Sequence, residues 1–356
     1  MDLNKLRAKI DLIDDQIVEL LNQRMDIVQQ VGNLKRSSGT TIYRPEREKS
    51  IVDRLEAKIA GKGYLNRQAI EAIYLEIFAI SRNLELPERV AYLGPEGSFT
   101  HQAAESRFGA LSDYISLKTI KSVFESVETG RVRFGVVPIE NNQEGSVNET
   151  IDCLCDKNVK IVSEIPMSIH FTFASLQDHL TNINTIYSKD IAFRQCKNFI
   201  EEYFGDNVKL IEVTSTSKAA QLASENPHSA AICSPIAAKL LRLPVLFENI
   251  EDSHNNTTRF LILSKDFINQ PSGADKTSIL VRIPDKPGGL VNFLKEFKDR
   301  NINLTKIDSR PARIRDNFKY WFLIDFDGHF QDANAQEILN KHSDIITFLG
   351  SYVKMC

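Results

Sequence analysis

Nowhere in these 356 residues does an uncharged apolar run reach the length needed to span a bilayer, so a helical membrane protein is not expected. The opening stretch, MDLNKLRAKIDLIDD, mixes acids with bases and has no apolar centre of the secretory kind; a cytoplasmic chain is expected. Charge of one sign is scarce too. Forty-four Lys and Arg against 47 Asp and Glu leave a net −3, which argues against a general nucleic-acid or membrane-surface binder. Cysteines are few and scattered, at 153, 155, 196, 233 and 356, and none stands at zinc spacing from histidines. Reduced thiols are the plain reading. GxxxxGK[ST], HExxH and a post-strand GxGxxG are absent, so no metal, nucleotide or other cofactor is expected.

What is present fits a globular chain of two or three domains, with 42% hydrophobic and 26% charged residues. Leu3, Ile10, Ile17 and Val31 recur at sevens, as do Leu6, Ile13, Leu20, Ile27 and Leu34. That seam runs to about residue 36, roughly 50 Å of helix, and cannot bury itself. Two more helices are expected, over about Pro45–Ala60 and Asn66–Leu86. Arg24 stands at a seam position due an apolar residue, and Lys35 shares its face, so two long cations can converge on one small polyanion. Alone, Arg24 has a lesser alternative as a snorkelling or acid-paired arginine. Arg7 lies about 25 Å from Arg24 along the axis. It can serve the same kind of site only from a second, antiparallel copy, which implies an intertwined homodimer.

The ordered set Leu6-Arg7-x-x-Ile10-Asp11-x-x-Asp14, Arg24, Val31-Gly32-x-x-Lys35, Arg47-Glu48, and Ser81 with Glu85 resembles the all-helical chorismate mutases. The resemblance implies rearrangement of chorismate to prephenate, a pericyclic step that needs a clamp on the compact conformer and stabilisation of charge on the breaking ether oxygen. On it, Arg24, Arg47 and the partner subunit's Arg7 would hold the two carboxylates. Lys35 would face the ether oxygen, Glu48 would accept from the ring hydroxyl, and Ser81 would support a carboxylate or the ring. Glu85 stands where some members carry glutamine. A glutamate donates only when protonated, so mutase activity is expected to decline as Glu85 ionises. Arg44, where relatives can carry a short acid, is given no role.

From Arg89 to about Asp266 short apolar runs alternate with amphipathic helices, an α/β signature. Strands are expected at Val90–Leu93, Phe134–Pro138, Thr185–Tyr187, Val208–Val213, Ala230–Ile232 and Phe260–Leu263. Gly94–Ser98, Gly145-Ser146 and Thr214–Ser217 precede expected helices, one of them starting at Ser146. Each reads either as a routine cap or as an anion site at a helix N-terminus. The wording GPEGSFTHQAA, VVPIENNQEGSVNETID, SKDIAFRQCKNFI, STSKAA and NNTTRFLIL resembles prephenate dehydratases along the whole segment. That implies two lobes of the periplasmic-binding-protein type, hinged near Glu164–Phe171 and Pro244–Glu251, with the site between them. Prephenate loses carbon dioxide and its ring hydroxyl, and the family's threonine maps onto Thr258, a hydrogen-bond donor to the leaving oxygen. Glu140, Asn141, Asn142, Ser215, Thr216, Ser217, Arg259 and Phe260 are the candidate substrate contacts. For Arg259 a structural ion pair is the equal alternative, and Gln195 and Cys196 read as packing or contact.

After a linker at Asn269–Ala274 the pattern becomes βαββαβ, a ferredoxin-like α+β unit. Gly288-Gly289-Leu290-Val291 and Asp308-Ser309-Arg310-Pro311 resemble the phenylalanine-binding ACT domains. That implies L-phenylalanine as an allosteric inhibitor, held by these residues across a dimer interface. The expected architecture is thus multidomain: an all-α intertwined three-helix dimer (1–87), a two-lobed α/β domain (88–268) and a ferredoxin-like domain (276–356), in a homodimer or higher homo-oligomer. Together they imply conversion of chorismate through prephenate to phenylpyruvate under phenylalanine feedback. The residues alone leave two alternatives, a non-catalytic anion-binding sensor and a dehydratase acting on arogenate.

Overall fold

The computed structural model describes residues 2–38 (side chains to 35), 44–59, 63–85, 89–205, 207–253, 255–284, 286–311 and 320–355. The expected helix ends Ala60 and Leu86, and Cys356, lie outside them. The chain forms two compact units, a largely helical one of the first 88 residues together with Phe108–Asp113, and an α/β one of Arg89–Arg107 and Tyr114 onward.

The helical unit has α1 (Leu3–Ser38), α2 (Pro45–Ile59) and α3 (Arg67–Glu85). Proline opens α2, where its fixed φ suits the first turn and its missing N–H costs nothing. Val52, Ile70 and Phe78 form the small core. The heptad seam stays outside it: Ile10, Ile13, Ile17, Leu20, Ile27 and Leu34 are all 48% exposed or more. α1 runs close to α3 at Gly32, where a Cβ would sit 3.0 Å from the Glu85 Cα. A side chain there would push on the end of α3, which glycine leaves level with Lys35.

The α/β unit begins with strands β1 (Arg89–Leu93), β2 (Asp113–Leu117), β3 (Phe134–Asn141), β4 (Gly145–Ser146) and β5 (Lys160–Ser168). Next come β6 (Thr172–Ser175), β7 (Thr185–Ser188), β8 (Lys209–Glu212), β9 (Ser229–Cys233), β10 (Val245–Glu248) and β11 (Thr257–Ser264). One sheet runs β2-β1-β3-β11-β5 with β4 beside β3, the other β10-β6-β9-β7-β8, so the two expected lobes are present. The chain crosses between them at 169–171 and again at 249–256. The crossings bind each other: Ile169 N donates to Asn256 O at 2.8 Å, and Ile250 N to Phe171 O at 3.1 Å. Glu251 adds a carboxylate that accepts from Phe171 N at 3.0 Å and meets His170 Nδ1 at 2.6 Å. Both crossings lie further along the chain than the expected hinges begin. The reason is ladder pairing, which holds Glu164 opposite Leu261 within β5 and Glu248 opposite Thr172 within β10.

One expected helix start is corrected. Gly145-Ser146 pairs with Asn141 and Glu140 as a hairpin, and the helix begins at Asn148 with no side-chain cap. The backbone N–H groups there serve the hairpin, so this turn is not an anion site of the helix-terminus kind.

The last sheet holds β12 (Asp275–Arg282), β13 (Leu304–Pro311), β14 (Tyr320–Asp327) and β15 (Ile346–Val353) in the order β13-β14-β12-β15, with helices Gly289–Asp299 and Ala333–Lys341. This is the expected βαββαβ unit. Strand alternation divides its apolar residues. Ile279, Val281, Ile324 and Phe326 pack on the helices, while Leu280, Leu323 and Tyr352 enter the core around Val137, Ile139, Leu261 and Leu263 of the first sheet. A Cβ on Gly350 would come within 2.0 Å of Ile161 O, so β15 lies almost on β5. The expected linker is anchored as well, for Asn269 is buried and donates to Val162 O at 2.8 Å and Ser351 O at 2.7 Å.

Candidate functional site

In the helical unit four of the expected residues meet in two pairs. Arg24 Nη1 donates to Ser81 Oγ at 2.6 Å, and Lys35 Nζ donates to Glu85 Oε2 at 2.7 Å. Ser81 and Glu85 stand one turn apart on α3, facing the cations of α1. Burial lowers the pKa of Arg24 from its ordinary value, more than Tyr74 and Glu85 raise it. A half-buried guanidinium that burial disfavours more than its neighbours favour is suited to receive an anion. Glu85 acts here as an acceptor toward Lys35, not as the donor its sequence position suggests. Glu48 is paired with Arg82, whose side chain is buried. Arg82 was not foreseen, and its only signal is a basic residue one place beyond Ser81, after the apolar run at residues 77–80 of α3. Arg47 and Arg7 are exposed and pair with no described side chain. Arg44 pairs with Glu46 at 2.7 Å at the start of α2.

In the α/β unit the register sets Thr258 of β11 opposite Asn141 of β3. Directly opposed strand residues share a face, and here they touch: Asn141 Nδ2 donates to Thr258 Oγ1 at 2.9 Å and to Asn256 Oδ1 at 2.7 Å. Asn256 Nδ2 donates to Gln195 Oε1 at 3.1 Å, and Gln195 Nε2 to Gln143 Oε1 at 2.9 Å. Gln195 thus contacts the polar cluster, whereas Cys196 is fully buried and burial pushes its thiol well up, so it packs.

A cleft of about 790 Å³ lies between the lobes, lined among others by Gly94–Gly97 from one and Ser215, Ser217 and Lys218 from the other. Thr258 and Asn141 are not among its lining residues. Ser217 is buried with its hydroxyl unpartnered in that lining. Ser215 is a helix cap, its Oγ accepting from Lys218 N at 3.0 Å, and Thr216 follows it, buried, in the first turn. Ser98 is a cap too, accepting from His101 N at 3.2 Å.

Four candidate substrate contacts are committed elsewhere. Asn142 ties the hairpin to the second crossing, donating to Asn255 O and accepting from Thr257 N at 3.0 Å. Phe260 is a core residue, 2% exposed. Arg259 points to the face opposite Thr258, and its Nη1 reaches Asp325 Oδ2 at 2.9 Å and Glu164 Oε2 at 3.3 Å. Its Nε lies 2.8 Å from Glu140 Oε1, and Glu140 also pairs with Lys306. Desolvation alone would lower Arg259, but Asp325, Tyr352, Glu140 and Glu164 together hold it above its ordinary value. The structural alternative therefore describes Arg259, and Glu140 goes with it.

Three family models match in chain order: chorismate mutase type II over residues 6–86, prephenate dehydratase over 90–267 and ACT domain over 277–344. A bifunctional chorismate mutase/prephenate dehydratase of Aquifex aeolicus is 40% identical over 359 residues, 99% of this chain and 98% of that protein. The chain belongs to the bifunctional chorismate mutase/prephenate dehydratase family. An Escherichia coli bifunctional chorismate mutase/prephenate dehydratase is 30% identical, with 98% of this chain and 95% of that protein covered. A solved prephenate dehydratase from Arthrobacter aurescens, in complex with L-Phe, matches with a TM-score of 0.68 at 33% identity over 75% of this chain and 90% of that one.

The helical unit is thus the chorismate mutase region, the Thr258 cluster lies within the prephenate dehydratase region, and the last sheet is the ACT domain. Its candidate effector residues divide. Asp308 accepts from Ser146 and Arg310 pairs with Asp152 at 2.8 Å, so both face the dehydratase. Ser309, Pro311 and Val291 are exposed, Leu290 is half-buried, and Gly289 opens its helix. Among the described residues no helix is long and apolar enough to cross a membrane.

Proposed function

We propose that the two activities of this bifunctional enzyme are divided between the pairs in the helical unit and the Thr258 cluster, with the ACT domain as their brake. The enzyme rearranges chorismate to prephenate and converts prephenate to phenylpyruvate. In the first step Arg24 and Arg47, with the partner subunit's Arg7, hold the two carboxylates, while Lys35 stabilises charge on the ether oxygen. Glu48 orients the ring hydroxyl, Ser81 steadies Arg24, and Glu85 holds Lys35 in place. The exposed seam of α1 supports the antiparallel homodimer that this assignment needs.

In the second step the bond to the ring carboxylate breaks, its electron pair enters the ring, and the hydroxyl oxygen leaves with its own pair. Thr258 donates a hydrogen bond to that oxygen, and aromatisation drives the reaction. Asn141 orients Thr258, while Ser217 and the helix start at Thr216 receive a substrate carboxylate. The observation that carries this assignment is the 2.9 Å bond from Asn141 to Thr258. Because the amide donates, the threonine's own hydrogen is left for substrate.

L-Phenylalanine is the feedback inhibitor, bound by the ACT domain. The Arthrobacter relative's complex with L-Phe supports this, as do the ion pairs Arg259–Asp325, Lys306–Glu140 and Arg310–Asp152 that join sensor to dehydratase. The test feeds chorismate to the full chain and follows prephenate and phenylpyruvate separately, with and without phenylalanine. Thr258→Ala should lose only phenylpyruvate and Lys35→Ala should lose prephenate formation from chorismate, while added prephenate is still converted. Full turnover in either variant would overturn its assignment.

A further inference from the structure

We propose that Asn256 is a positioning residue of the dehydratase: it fixes the Asn141 amide in the one orientation that leaves the Thr258 hydroxyl hydrogen to the substrate. The inference rests on Thr258 being the donor to the leaving oxygen.

The orientation follows from backbone donors. Asn141 Oδ1 accepts from Gln143 N at 2.9 Å and from Glu144 N at 3.0 Å. Backbone N–H groups cannot turn into acceptors, so the oxygen must face them and the NH₂ must face Thr258 and Asn256. Asn256 then has to present its oxygen to Asn141, and its own NH₂ points to Gln195. Gln195 presents its oxygen in turn, and its NH₂ reaches Gln143. The whole relay is set by two main-chain donors, and each member fixes the next. With an N–H occupying one Thr258 lone pair, the hydroxyl hydrogen is uncommitted among the described residues. That bond also draws electron density from the oxygen and makes the threonine a better donor.

Asn256 is placed for a second reason. It is 4% exposed, it closes the second crossing, and its carbonyl accepts from Ile169 of the first. Asn141 belongs to the first lobe, whereas Gln195 ends a helix that packs on the second sheet. The amide of Asn256 therefore spans the joint, and a shift of one lobe on the other would pull its two partners apart. Donor competence at Thr258 is tied to the lobe arrangement through this one side chain.

The test uses the full chain and steady-state kinetics with prephenate, with mutase activity and the thermal midpoint measured on the same preparations. Asn256→Ala should lower dehydratase kcat about tenfold or more while KM stays within about threefold and mutase activity is unchanged. In an Asn141→Ala background the same substitution should change kcat by less than about twofold, because the path it acts through is already gone. Asn256→Ser, which keeps an acceptor in a smaller side chain, should recover part of the loss and guards against a variant that fails to fold. A kcat within about twofold of the parent, or an equal factor in both backgrounds, overturns the proposal. Full activity in Thr258→Ala would instead remove the reading beneath it, and the proposal would fall with it.

Discussion

Asp325 of the ACT domain, replaced by asparagine, gives the most direct test of how the sensor is joined to the dehydratase. Its carboxylate is 1% exposed and lies 2.9 Å from Arg259, itself 9% exposed. Around them Lys276 meets Glu164 at 2.9 Å, and Lys306 meets Glu140, so three cations face three anions. Asparagine keeps the shape and removes one negative charge, leaving buried positive charge without a full counter-charge. Breaking a buried pair from one side costs about 3–5 kcal/mol. Glu140 and Glu164 still attend Arg259, so the lower end, about 3 kcal/mol, is expected. For a unit of this size that lowers the melting point by roughly 6–12 °C. The chain's single tryptophan, Trp321, lies on the same strand, and its fluorescence follows the unfolding. Asp344→Asn, an exposed acid of the same domain, controls for net charge. A drop of less than about 2 °C for Asp325→Asn would refute the argument that this charge is structurally required.

The same Asp325→Asn variant should raise the phenylalanine concentration needed for half-inhibition about tenfold while equilibrium dialysis shows binding retained. Unchanged inhibition would show that the signal bypasses Arg259. Glu85→Gln should lower mutase kcat about tenfold, since an amide oxygen holds the Lys35 ammonium less firmly than the carboxylate that accepts from it at 2.7 Å. Unchanged mutase turnover would end that idea. His101 is buried against Tyr92, burial lowers its pKa below the ordinary histidine range, and its Nδ1 accepts from Gly97 N at 3.2 Å. A depressed folded value means stability present above the unfolded histidine's range and lost as pH falls through the folded value. Melting points of the parent should therefore fall from pH 7 toward pH 5 more steeply than those of His101→Asn, and parallel slopes would refute it. Gly350→Ala forces a Cβ to within 2.0 Å of Ile161 O, so it should cost about 3 kcal/mol or more, read by urea unfolding.

Much of this was legible because local chemistry and tertiary role coincided. The α1 heptad, the Pro45 helix start and the last βαββαβ unit depend on periodicity and chain order, and the structure has all three. Contacts set by a distant strand were less legible. Glu140 sits in a polar loop beside Asn141 and reads as a ligand group, but Lys306 on β13 claims it. Gly145-Ser146 carries the wording of a helix cap, yet β3 claims it as a hairpin strand. Arg82 was missed because its partner Glu48 lies on another helix and sequence spacing is silent about that distance.

The Thr258-Arg259 pair shows why catalytic and coupling wording is contiguous in this chain. Consecutive strand residues point to opposite faces of a sheet. In β11 one face meets Asn141 and the polar cluster, the other the ACT sheet. On the proposed assignment, one step along the backbone therefore carries the chain from the donor to the leaving oxygen to the partner of Asp325 in the ACT domain. A shift of the ACT sheet that moved Asp325 would pull on Arg259, and through the peptide bond it would tilt Thr258. A separate relay of side chains is unnecessary, because the strand itself is the lever. It also follows that a one-residue insertion between Thr258 and Arg259 would put both on the same face. That variant should lose dehydration and feedback together while mutase turnover persists, and retention of either would show that the pleat is not what links them.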